Sequence, residues 1–193
     1  MPIEKGQEWG SPGALADDAP HASSDAEFAQ LLTDGATQVR PTGGDLARTL
    51  GVSEASLRRD AAMLLPIDAF WVSLDGHEHR CIAHAVIGRP SRPRVVVANA
   101  AFLGAWNVAP RAHPGDGKLD VVRFDLGLVD WIKARKRLPT GAHVPHPGIK
   151  TRAVAEWTET FERPVPVQLD GVTGHRARTV SVRIDSEAVI AGV

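Results

Sequence analysis

Acid–glycine pairs recur along this chain, among them Asp75-Gly76, Asp116-Gly117 and Asp170-Gly171, with Gly43-Gly44-Asp45 as the reversed arrangement. Glycine beside aspartate lets the backbone reverse at positive φ. Such a reversal can also do chemistry. It can offer a carboxylate and carbonyl oxygens to a hard divalent cation, or a single carboxylate as base to an alcohol. At a helix N-terminus it can turn backbone amides toward a phosphate. Read locally, each pair is first of all a turn.

The elements around these pairs read mostly as strands. Val95-Val96-Val97 and Leu119 to Phe124 are β-rich runs on either side of Pro114-Gly115-Asp116-Gly117-Lys118. Leu65 to Leu74 and Cys81 to Gly88 flank Asp75-Gly76, a two-residue hairpin signal. Val165 to Leu169 leads into Asp170-Gly171, and Thr179 to Ile184 alternates as a closing strand. Ser24-Asp25 predicts a helix start, with Phe28, Ala29, Leu31 and Leu32 on its apolar face and Gly35 as its stop. A second helix is predicted over Leu126 to Leu138, with Leu128, Val129, Ile132 and Trp131 on one side. Its late cations, Lys133 and Arg135 to Arg137, suit the negative end of the helix dipole or an anionic membrane. Three more arginines fall in a polar loop, Arg89 to Arg94.

Three of these segments carry a family resemblance. Asn99 together with Ala109 to Asp120 resembles the hallmark of the diacylglycerol kinase-like lipid kinases, a Pro/Ala-rich approach to Asp-Asp-Gly-x-Leu-Asp. Gly115 stands where the family has its first acid, so the Mg site implied at Asp116 has lost one ligand. Pro41 to Gly51, PTGGDLARTLG, resembles the family's Pro-x-Gly-Thr-x-Asn-Asp-Phe-Ala-Arg segment. That likeness implies phosphate or substrate contact at Gly43, Gly44 and Asp45. Leu169-Asp170-Gly171 is similar to Leu-Asp-Gly-Glu, which implies Asp170 as general base, with Val172 replacing the glutamate.

The resemblance implies a mainly β (α+β) fold, an antiparallel β-sandwich like the C-terminal domain of these kinases. It divides the chain into an irregular segment 1–40 with one helix and a sandwich domain 41–193 with its leading helical strut. The Gly-Gly-Asp-Gly-Thr nucleotide loop of the family is not found ahead of Pro41. The implied function is therefore that of a shortened lipid kinase-like protein, a pseudoenzyme binding a lipid or other amphipathic ligand. An active kinase using ATP and Mg, completed by a partner chain or a homo-oligomer, is the alternative.

A third reading comes from another class. Residues 45–64 resemble a helix-turn-helix, with Gly51-Val52-Ser53 as turn and Glu54 to Leu64 as a recognition helix bearing Arg58 and Arg59. A net charge of −1 argues against a dedicated nucleic-acid binder. The single cysteine, Cys81, rules out an internal disulfide framework, which points to a reducing, cytoplasmic setting. No uncharged stretch reaches membrane-spanning length, so lipid contact is expected to be peripheral. Zinc at His113, His143 and His146 is the weaker reading, since no cysteine or acid sits at ligand spacing. Neutral histidines bonded to backbone are expected instead.

Overall fold

The computed structural model describes residues 8–53, 62–143 and 146–193. The expected antiparallel β-sandwich is what forms. In chain order the strands are β1 (Ser11–Gly13), β2 (His21–Ala22), β3 (Gln38–Pro41), β4 (Ala62–Leu74), β5 (His77–Cys81), β6 (His84–Arg89) and β7 (Arg92–Ala98). There follow β8 (Phe102–Leu103), β9 (Trp106–Asn107), β10 (Leu119–Phe124), β11 (Ile149–Val154), β12 (Glu156–Leu169) and β13 (Val172–Gly192). The described helices are α1 (Asp25–Thr33), α2 (Gly44–Thr49) and α3 (Leu128–Arg137). The main sheet runs β1-β4-β13-β12-β6-β7-β10-β11, and β8-β9 is a separate small hairpin.

Val95, Val96 and Val97 are all fully buried because both faces of their strand are covered. Val95 and Val97 face the sandwich interior with Phe70, Val72, Ala85, Ile87 and Leu119. Val96 faces the opposite way, onto a second cluster with Val86, Val122, Trp131 and Leu138. The β4 strand changes core along its length. Leu65, Ile67 and Ala69 pack under α1 and α2, while Phe70, Val72 and Leu74 enter the sandwich. Full burial of one such side chain contributes about 1.5–3 kcal/mol, so the doubly covered strands anchor the fold.

The turns form as the Asp-Gly signals predict. Asp75 and Gly76 take φ 50° and 93°, closing the β4–β5 hairpin, and Asp170 and Gly171 take 45° and 86° between β12 and β13. Several expectations need correction. The segment read as irregular contains β1, paired with β4, and β2, paired in parallel with β3. With α1 between them, β2 and β3 make a small parallel unit, and β3 joins the end of β13. The polar loop of arginines is a tight turn, since β6 ends at Arg89 and β7 begins at Arg92.

In the helix expected over Leu126 to Leu138, Trp131 and Ala134 face the core with Leu138 just beyond, whereas Leu128, Val129 and Ile132 are exposed. The expected recognition helix cannot reach Leu64, because Ala62 to Leu64 belong to β4. Arg58 and Arg59 lie outside the described residues.

A buried acid joins these layers. Asp68 accepts from Glu187 N–H at 2.9 Å and Gly117 N–H at 2.7 Å, while its own N–H donates to the Pro114 carbonyl at 2.7 Å. It thereby ties the Pro114–Gly117 turn to the irregularity in β13 between Asp185 and Val189. Leaving a fully buried amide without its acceptor costs about 1–3 kcal/mol, and these two are partly buried. Asp68→Ala is therefore expected to lower stability by roughly 2–4 kcal/mol in urea unfolding. A change below about 0.5 kcal/mol would show that the clamp is dispensable.

Candidate functional site

Two short helices meet end to end beside the β12–β13 turn. Ser24 caps α1 by accepting from Glu27 N–H at 3.2 Å, and the Glu27 carboxylate reaches back to Ser23 N–H at 2.7 Å. Asp25 then turns toward α2. Its carboxylate accepts from Asp45 N–H at 2.7 Å and Leu46 N–H at 3.0 Å. The two helix starts approach so closely that a Cβ on Gly43 would strike the Ser23 carbonyl. One on Gly44, at φ 94°, would strike the Asp25 carboxylate. The double glycine is thus a packing requirement.

The Asp45-Leu-Ala-Arg48 segment grips the tip of the β8–β9 hairpin. Gly104 N–H donates to Asp45 Oδ1 at 2.8 Å, and Arg48 Nη1 donates to the Gly104 carbonyl at 2.6 Å. The Arg48 guanidinium also lies 4.0 Å over the Phe102 ring. Acid and arginine three residues apart on one helix face hold both polar groups of a single glycine.

Asp170 sits at the positive-φ position of its turn with its carboxylate buried. It accepts from Ile82 N–H at 2.8 Å, Ala83 N–H at 2.9 Å and His84 N–H at 2.8 Å. Burial raises its pKa to about 7 despite those three bonds. Asp45 is raised to about 6, first by burial and then by the neighbouring Asp25 charge. His84 is buried with Nε2 2.9 Å from the Ala100 carbonyl, so Nε2 carries the proton. Its Nδ1 lies 3.8 Å from Asp45 Oδ2. Burial lowers the His84 pKa to about 4, so the ring is neutral near pH 7 and the contact is no ion pair.

These groups share one cleft of about 460 Å³, lined by Asp25, Gly44, Asp45, His84 and Asp170 and walled by Pro90, Leu103 and Trp106. The structure thus brings together Asp170, Gly44 and Asp45, three residues singled out from sequence. Gly43 packs behind them. The sequence reading missed Asp25, His84, Gly104 and Trp106. Asp25 was visible only as part of a helix start, and nothing local marks His84 in its strand.

Asp116 stands apart, in a second cleft of about 560 Å³ with Arg111, His113, Lys118 and Asp120. Its Oδ1 accepts from Lys118 N–H at 3.0 Å, the ordinary bond of an Asx turn. The carboxylate aimed into this turn is Asp68, from β4. Beside it, a Cβ on Gly115 would come within 2.6 Å of Trp9 Nε1, whose N–H donates to the Pro66 carbonyl at 3.1 Å. An indole therefore fills the space that a second acid needs.

Among the described residues no three His, Cys, Asp or Glu side chains converge as a metal-binding set. The donor set at Asp116 does not fit Mg, and His113, His143 and His146 do not form such a set either. His143 Nε2 lies 3.1 Å from the Val108 carbonyl, with its pKa lowered by burial. Gly148 N–H donates to His146 Nδ1 at 3.1 Å, and His113 packs on Trp9 at 4.3 Å between ring centroids. Nor do the amides of α2 fit ATP phosphate, because Asp25 already occupies them.

The acids of the cleft give stability a definite pH dependence. A carboxyl with a folded pKa of about 7 and an ordinary value near 3.8 when unfolded binds its proton more tightly in the native state. Its contribution is greatest below about pH 4 and falls as pH rises to 7. His84 works in the opposite sense between about pH 4 and 6.5. Comparing wild type with Asp170→Asn therefore isolates the acid. Urea unfolding at pH 5 and pH 8 should show the fall in stability reduced in the variant; identical slopes would refute the titration of Asp170 in this window.

Residues 62–191 match the family described as the YegS C-terminal NAD kinase β-sandwich-like domain. A diacylglycerol kinase structure from Bacillus anthracis str. Sterne overlays with a TM-score of 0.55 at 14% identity, covering 80% of this chain and 65% of that one. Two further structures from the same strain, provisionally described as diacylglycerol kinases, overlay with TM-scores of 0.59 at 14% and 13% identity. Both cover 89% of this chain, and 75% and 76% of their own. This chain thus spans about two thirds to three quarters of their lengths. At 89% the likeness also extends ahead of Pro41, into the small parallel unit. No curated protein sequence matches the chain. With two thirds of its length inside that match, the chain belongs to the YegS C-terminal NAD kinase β-sandwich-like family.

Proposed function

We propose that the cleft between α2, the β8–β9 hairpin and the β12–β13 turn binds the hydroxyl end of a lipid or similar amphipathic alcohol, and that this chain alone does not phosphorylate it. The observation that carries the reading is the convergence of Asp45, neutral His84 and Asp170 with the apolar walls Leu103 and Trp106. A pocket of this size with a few polar groups among apolar ones suits such a ligand. Two features weigh against nucleotide use. The carboxylate of Asp25 fills the α2 amides, and Trp9 fills the space beside Asp116.

An active lipid kinase completed by a second chain is the alternative. The pKa of Asp170, about 7, favours it, because a base near the working pH is best placed to take the proton of an alcohol. The nucleotide and its cation would then be held by the partner.

Calorimetric titration of a short-chain diacylglycerol should show saturable binding, weakened about tenfold by Trp106→Ala through loss of the apolar wall. ATP with Mg should produce no binding heat and no phosphorylated lipid. Absence of lipid saturation would refute the ligand reading. Phosphorylated product from this chain alone would replace it with the kinase reading.

A further inference from the structure

Three of the large apolar side chains that the described residues leave exposed lie on a single helix. Leu128, Val129 and Ile132 of α3 are 62%, 64% and 52% exposed. They are not the stripe that holds the helix down, since Trp131 and Ala134 do that from the other side. At 100° per residue the exposed trio spans about 100° of the helix circumference. Lys136 falls within that arc, with Arg135 on one flank and Lys133 on the other. Lys133 pairs weakly with Asp130 at 3.6 Å, and no acid among the described residues pairs with Arg135, Lys136 or Arg137. The neighbouring β6–β7 turn adds to the same end of the molecule. Arg92 Nη2 donates to the Leu126 carbonyl at 2.9 Å, and Arg89 and Arg94 line the cleft beside Leu126.

We infer that α3 is a membrane-docking helix that lies on an anionic bilayer. Charge complementarity selects this occupant. In a chain with a net charge of −1, four cations lie in the last turns of this helix, in and around the largest exposed apolar stripe among the described residues. A second copy of the helix would bring like charges together. An amphipathic helix with cations beside its apolar arc rests in the headgroup plane with that arc toward the acyl chains. Each lysine or arginine near such a surface adds attraction that falls away with salt. On the buried side, Trp131 meets Trp106 at 5.9 Å between ring centroids, and Trp106 walls the acid-lined cleft. Docking through α3 would hold that cleft near the bilayer, although the inference does not depend on what the cleft binds.

The test is co-sedimentation of the full chain with phosphatidylcholine vesicles, with and without about one-third phosphatidylglycerol and free of diacylglycerol. The wild type should pellet with the anionic vesicles, less so as salt rises, and stay in the supernatant with the neutral ones. Leu128→Asp with Ile132→Asp should lower partitioning roughly tenfold or more, as should Lys136→Glu with Arg137→Glu. Thermal melting of both should match the wild type, because the altered side chains are exposed. A wild type that ignores anionic vesicles, or a folded double variant that binds like it, would overturn the inference.

Discussion

A single carboxylate inside a turn organises the region where the titratable groups of the acid-lined cleft gather. Asp170 fixes the short link between β5 and β6 by taking the N–H groups of Ile82, Ala83 and His84. Those amides stand where β6 has only begun, so without Asp170 they would be buried with no acceptor. Burying the charge is costly, and the raised pKa of the acid expresses that cost. What is gained is position. The β12–β13 turn, the start of β6 and the neutral His84 ring become one wall of a cleft.

The same link is gripped from its other side. Asn99 donates through Nδ2 to the Ile82 carbonyl at 2.8 Å and to the Asp68 carbonyl at 2.7 Å. Asp68 in turn holds the turn that contains Asp116. A chain of buried polar contacts therefore runs between the two places that the resemblance marks out for chemistry. Buried networks of this kind are stabilising only when their members find partners, so these residues have little freedom to vary independently.

Family logic and local chemistry part company at two points, for the same physical reason. An anion-binding helix start and a cation-binding turn each need open donors or acceptors. Here Asp25 supplies the anion to α2 from within the chain, and Trp9 supplies bulk beside Gly115. Asp45, in contrast, is partly open to the cleft, while the Asp170 turn lines it with the carboxylate held by the β5–β6 amides. The acid-lined cleft thus stays open, while the α2 amides and the space beside Gly115 are filled by the protein itself. That asymmetry is the support for the proposed ligand-binding reading.

Much of the scaffold was legible in the residues. The Asp-Gly pairs placed two hairpins, β-branched runs placed β7 and β10, and Ser24 placed the start of α1, because each signal acts between neighbours in the chain. The helix over Leu126 to Leu138 was legible as a helix but not in its orientation. It has apolar residues on two sides, and periodicity alone cannot say which side finds a partner. Asp170 and Asp45 were singled out by resemblance, but their meeting with Asp25, His84 and Trp106 was not. The bonds that gather them span 86 to 88 residues for Asp170 and 20 to 21 for Asp25. Turn chemistry and strand alternation are local energies and were settled by sequence. Which carboxylate caps a neighbouring helix and which lines a cleft was settled only when distant strands packed, since each acid takes whichever amides the tertiary fold leaves without a partner.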